Sequence, residues 1–109
     1  MTLDVSDLIP EMLSAARAAL EDSWPDVKEY AETEFRKTGE TLSMIARLYG
    51  SGKIDEEGAR FLVGLQKLST ENVLLTAQGL GMIAVERAVN AALGVLRDTV
   101  NTTLGFALL

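Results

Sequence analysis

After Pro25 the chain contains no proline, and along most of its length apolar residues return at every third or fourth position. That spacing is the repeat of one face of an α-helix, and only glycine remains to interrupt it. Long amphipathic helices are the elements such a chain can build, so the predicted fold class is all-α. At 109 residues it reads as a single helical domain spanning 1–109.

Local signals place the helices. Ser6 is a suitable N-cap, Asp7 complements a helix start, and Pro10 falls in a first turn where its missing N–H breaks no intrahelical bond. A first helix over about 6–22 follows. Proline at 25 biases Trp24 away from helical angles, so Asp22-Ser23-Trp24-Pro25-Asp26 is a break or kink before a second helix over about 25–49. Gly50-Ser51-Gly52-Lys53 forms a turn. Asp55 then caps a third helix over about 55–103, with Gly79-Leu80-Gly81 marking a bend or a close helix approach within it, followed by an apolar C-terminal tail, 104–109.

The apolar step survives the kink: Ile9, Leu13, Ala16, Leu20, Trp24, Val27, Ala31, Phe35, Thr38, Leu42, Ile45 and Tyr49 keep it throughout. A loop normally shifts such a phase. The spacing therefore predicts one nearly collinear first arm, kinked near Pro25, and a second arm of similar length. Each would be roughly 65–70 Å long at 1.5 Å per residue, giving a long antiparallel helical hairpin.

Two interleaved heptad rows run through the second arm. One is Phe61, Leu68, Leu75, Met82, Val89 and Leu96; the other is Leu65, Asn72, Gly79, Glu86, Leu93 and Val100. With Leu62, Val73, Leu80 and Ile83 beside them, the apolar face is broader than one covering helix can bury. Self-association into a homodimer or higher homo-oligomer would complete a four-helix-bundle core. The expected interface comprises Leu65, Leu68, Asn72, Leu75, Gly79, Met82, Glu86, Val89, Leu93 and Leu96.

Composition narrows the function. Net charge is −6, with ten acids and five bases in residues 1–52 and six acids and five bases in 53–109. No basic stripe is present to displace counterions, so nucleic acid is not an expected partner. The absence of cysteine and histidine removes thiol nucleophiles, disulfides, Cys/His zinc sites and histidine acid–base chemistry. The acidic start lacks the pattern of a signal peptide, which makes a cytoplasmic location the expectation. Asn72 to Val85 is uncharged but spans only 14 residues, against about 20 for a membrane-spanning helix. The tail lacks the basic flank of an interfacial helix.

Three carboxylates stand out. Glu86 lies in a heptad row between Gly79 and Leu93, where an unpaired buried carboxylate is costly. It is expected to bond Arg17, Arg87 or a partner-chain group and to fix register. It could otherwise serve as a metal ligand or proton-handling carboxylate, or be exposed by rotation of the helix. A reversal near Ser51–Lys53 would set Glu34 level with Glu71, and a two-fold copy would supply a second pair. With Glu86 they make a candidate carboxylate-only metal site for magnesium, calcium or manganese, ferritin-like in architecture only, since the Glu-x-x-His motif of that group is missing. The alternative is that Glu34 and Glu71 are boundary residues in contact with water. Trp24 is expected to plug the kink, and Tyr30 and Tyr49 to bury their rings and wet their hydroxyls. Glu32–Arg36 and Glu56–Arg60 are surface i,i+4 pairs without functional content.

The leading expectation is thus a non-catalytic, self-associating structural or interaction protein that needs no cofactor. A carboxylate metal-binding bundle is the second reading, and a membrane-surface or apolar-ligand module the third.

Overall fold

The computed structural model describes residues 1–77 and 79–109, and among these every regular element is helical. A 3₁₀ turn at Ser6–Leu8 leads into α1, Ile9–Leu20. A second 3₁₀ turn, Glu21–Ser23, precedes α2, Trp24–Gly50. Then come α3, Glu56–Leu74, and α4, Met82–Leu104. The helices pack compactly, with α1 on α2, α2 on α3, α3 on α4 and α4 back on α1.

Two expectations fail here. The first arm is not collinear: α1 folds back along α2, so that a Cβ added to Gly39 would lie 3.3 Å from Val5 Cγ2. At the far end of α2, one added to Gly50 would fall 2.5 Å from that of Met1. The third helix is not continuous either, because the chain reverses between Leu74 and Met82. The longest dimension is 43 Å, well short of a 65–70 Å hairpin. Folding at both places lets one chain supply four packed helices, so a second copy is not needed to form the core. The physical reason is the amount of apolar face. Straight arms would give each helix one partner within the chain, whereas folded arms set every helix against two others.

Local chemistry makes each reversal. At the first, Glu21 adopts φ 51° and ψ −116°, a region that disfavours side chains, while its N–H bonds Arg17 O. Pro25 sits in the first turn of α2, where proline is tolerated. At the third, Gly79 takes φ +87°, which glycine accepts without strain. Between them, Ser51 Oγ donates to Arg47 O at 2.9 Å, and Asp55 Oδ1 caps α3 by accepting from Gly58 N–H at 2.8 Å. Ser6 is not a cap as expected; its own N–H is held by Asp4 Oδ1 at 2.9 Å, and that hydrogen bond lowers the Asp4 carboxyl below its ordinary 3.8.

The seams differ in chemistry. The α1–α4 seam is apolar, with alanines set among larger side chains: α1 buries Met12, Ala16 and Leu20, and α4 buries Val85, Ala88, Ala92 and Leu96. Between α2 and α3 lie the four buried polar residues Glu34, Thr38, Thr70 and Glu71. The apolar tail docks on the core: Asn101 Oδ1 accepts from Leu108 N–H at 2.9 Å and Leu109 N–H at 3.0 Å. Phe106 meets the Tyr49 ring at 4.9 Å between centroids and carries the Arg60 guanidinium 5.2 Å above it.

Candidate functional site: the outer face of α3 and the α2–α3 polar seam

The heptad rows drift across the surface. Phe61, Leu68 and Met82 of the first row are exposed, Leu75 is half-buried, and Val89 and Leu96 lie inside the core. In the second row Leu65, Asn72, Gly79 and Glu86 are exposed, Leu93 is half-buried, and Val100 is buried. The reversal between Leu74 and Met82 divides both rows, and α4 then packs on a face centred on Val85, Ala88 and Ala92, which takes Val89 and Leu96 inward while the α3 members stay outside. The expected interface set therefore divides. Val89 and Leu96 serve this chain's own core, while Leu65, Leu68, Asn72 and Met82 form an outer stripe.

That stripe is conspicuous. Phe61 is 66% exposed, Leu68 54%, Leu65 49%, and at the start of α4 Ile83 is 75% and Met82 47%. At roughly 200 Å² for a large side chain, these fractions come to on the order of 600 Å² of apolar surface. Such an area is at the upper end of patches on monomeric proteins and close to one side of a standard interface. From Leu68 to Val85 the one charged residue is Glu71, which is buried; Glu57, Arg60 and Lys67 border the Phe61–Leu65 part of the stripe, and Glu86 and Arg87 follow Ile83. Gly64 is exposed beside Leu65, and a Cβ there would meet nothing within 4 Å.

Glu86 does not occupy the core. It stands exposed on α4, and the expected ion pair with Arg17 does not form. The buried face of α4 centres on Val85, Ala88 and Ala92, one step away around the helix. Glu34 and Glu71 are buried, which corrects their reading as water-facing boundary residues. Glu34 Oε2 accepts from Lys37 Nζ at 3.1 Å, and its Oε1 is buried without a hydrogen-bond partner. Thr41 Oγ1 donates to Gln66 Oε1 at 2.9 Å, and Gln66 Nε2 donates to Thr70 Oγ1 at 3.2 Å. This chain of bonds ties α2 to α3 beside a void with about 10 Å³ open to a water centre, room for a single molecule. With Glu86 on the outer surface the three-carboxylate site does not assemble, and among the described residues no three acidic side chains gather to hold a metal.

The remaining features are structural. Trp24 is buried at the first reversal, and Tyr49 is half-buried against Phe106, whereas Tyr30 is 49% exposed, contrary to expectation. Glu32–Arg36 and Glu56–Arg60 pair at 2.8 and 3.6 Å on the surface. A groove of about 400 Å³ between the N-terminal segment and α2 has Asp4, Arg36, Glu40 and Arg47 around a floor of Val5 and Ile9. Its charges balance, and Arg36 and Arg47 are bound to Glu32 and Ser43, so no single ligand charge is selected. No helix is long and apolar enough to cross a membrane among the described residues. The outer stripe had a signal in the sequence, the heptad rows; the orphaned oxygen of Glu34 had none, since it depends on how α2 and α3 meet. No family model, curated protein or solved structure matches this chain.

Proposed function

We propose that this chain is a non-catalytic helical module that works by associating with copies of itself through the outer face of α3. The observation that carries the reading is the exposed stripe of Phe61, Leu65, Leu68, Met82 and Ile83. Two copies, each with net charge −6, meet there through apolar side chains bordered by charges of both signs, while most of the acidic excess lies in residues 1–52, outside the stripe. Gly64 adds support. A glycine inside a helix costs about 1 kcal/mol against alanine, and no contact within the chain requires it. Close approach of a second helix backbone would use the space that Gly64 leaves.

The test is sedimentation equilibrium at micromolar concentration, on the wild type and on a Leu65→Glu/Leu68→Glu double variant. A mass above 11.8 kDa is expected for the wild type, with monomer and unchanged helical circular dichroism for the variant. A folded wild type that stays at monomer mass overturns the reading.

A further inference from the structure

We propose that two copies of this chain exchange α4: the α3–α4 reversal straightens, α3 and α4 become one helix, and each α4 packs on the α1 of the other copy. The proposal rests on the self-association reading but on different residues. Thr70, Leu74, Ala77, Gly81, Val85, Ala88, Ala92, Leu96 and Val100 follow one another by threes and fours straight through the reversal. All of them except Gly81 are buried. A continuous helix would therefore keep the same face inward on both halves, with no rotation needed to reseat α4.

The packing points the same way. α4 lies mainly on α1, the helix farthest from it in sequence, and far less on its chain neighbour α3. Exchange reproduces the α1–α4 seam between chains and gives up little between α3 and α4. No proline stands between Asp26 and Leu109 to forbid helix across residues 75–81. By contrast, straightening the first reversal would put Pro25 inside a helix, where it breaks a hydrogen bond and clashes with the preceding turn. The occupant of the α1 groove is thus the α4 of a second copy, delivered by this one hinge.

Met82 allows a clean test. It is the first residue of α4, where proline is tolerated, and Gly81 before it is extended, at φ −98° and ψ 165°, as a residue preceding proline prefers. Met82→Pro therefore suits the folded-back chain and interrupts the continuous helix. Met82→Ala removes the same exposed side chain and leaves the helix free to form. Wild type, both variants and the Leu65→Glu/Leu68→Glu variant are refolded at high concentration and sized. In parallel, copies labelled through Ser14→Cys are mixed with copies labelled through Asn90→Cys; the native chain has no cysteine to interfere.

Exchange predicts a dimer in which the Ser14 and Asn90 labels of different chains approach within about 25 Å, as on neighbouring packed helices. It also predicts that Met82→Pro weakens dimerisation at least tenfold relative to Met82→Ala, with helical circular dichroism retained. If Met82→Pro and Met82→Ala dimerise equally and no short cross-chain distance appears, exchange is overturned. Docking through the α3 stripe then stands, provided the Leu65→Glu/Leu68→Glu variant is monomeric. A wild type that is monomeric after refolding at every concentration overturns exchange and docking together.

Discussion

The first and third reversals solve one problem with opposite chemistry. Both fold a helix back although the apolar phase runs on unbroken, from Leu20 to Trp24 in one and from Leu74 to Ala77 in the other. At the first, a side chain is forced into a glycine region, and Pro25 prevents relaxation into a straight helix. At the third, Gly79 takes its positive φ freely, and no proline stands guard. Strain with a lock holds the first reversal; the third has neither. An in-phase turn is therefore stabilised by what it forbids as much as by what it permits.

Substitutions at the two reversals sharpen this contrast. The largest effect is expected from Gly79→Val, which places a β-branched side chain at φ +87°. Urea unfolding should show a loss of about 2 kcal/mol in the folded-back chain. A loss under about 0.5 kcal/mol would mean that the turn re-forms without the left-handed residue. Next, Glu21→Gly should stabilise the chain by about 1 kcal/mol, because relief of the strain at φ 51° exceeds the added freedom of glycine in the unfolded state. An unchanged or lower melting temperature would argue that Glu21 is not strained. Pro25→Ala should have the smallest effect, a loss of about 0.5 kcal/mol from greater unfolded-state freedom. It should also allow the first arm to straighten, read as a longer distance between spin labels introduced through Ser14→Cys and Thr41→Cys. An unaltered distance in the variant would show that Pro25 is not the lock.

The helical class was legible because the three/four step of residues such as Val27, Ala31, Phe35 and Leu42 has no other home. The interruptions at Asp22–Asp26 and Gly79-Leu80-Gly81 were legible as a kink and a bend, but not as full reversals, because an in-phase turn looks like straight helix to any count of spacing. Nothing local distinguishes an Asp22-Ser23-Trp24-Pro25 kink from a fold-back; the choice is made by whether α1 packs on α2 as well as on α4. The position of Glu86 failed for a related reason. A row counted by sevens assumes the underwinding of a coiled coil, and α4 packs instead on a face that steps through Val85, Ala88, Ala92 and Leu96. The outer stripe was visible as Phe61, Leu65 and Leu68, but its separation from Val89 and Leu96 required knowing that helix three divides.

The α1–α4 seam joins helices from opposite ends of the sequence, and this sets an order of events as the chain is made. α1 is synthesised early, yet the groove that buries Met12, Ala16 and Leu20 is completed only when α4 has emerged. At about 5–20 residues per second, that leaves the α4-facing side of α1 uncovered for several seconds on each ribosome. Neighbouring ribosomes on one message hold other unfinished copies in the same state. The side of α1 that faces α4 is thus exposed to capture, by a chaperone or by another copy's α4, for longer than the side that α2 covers.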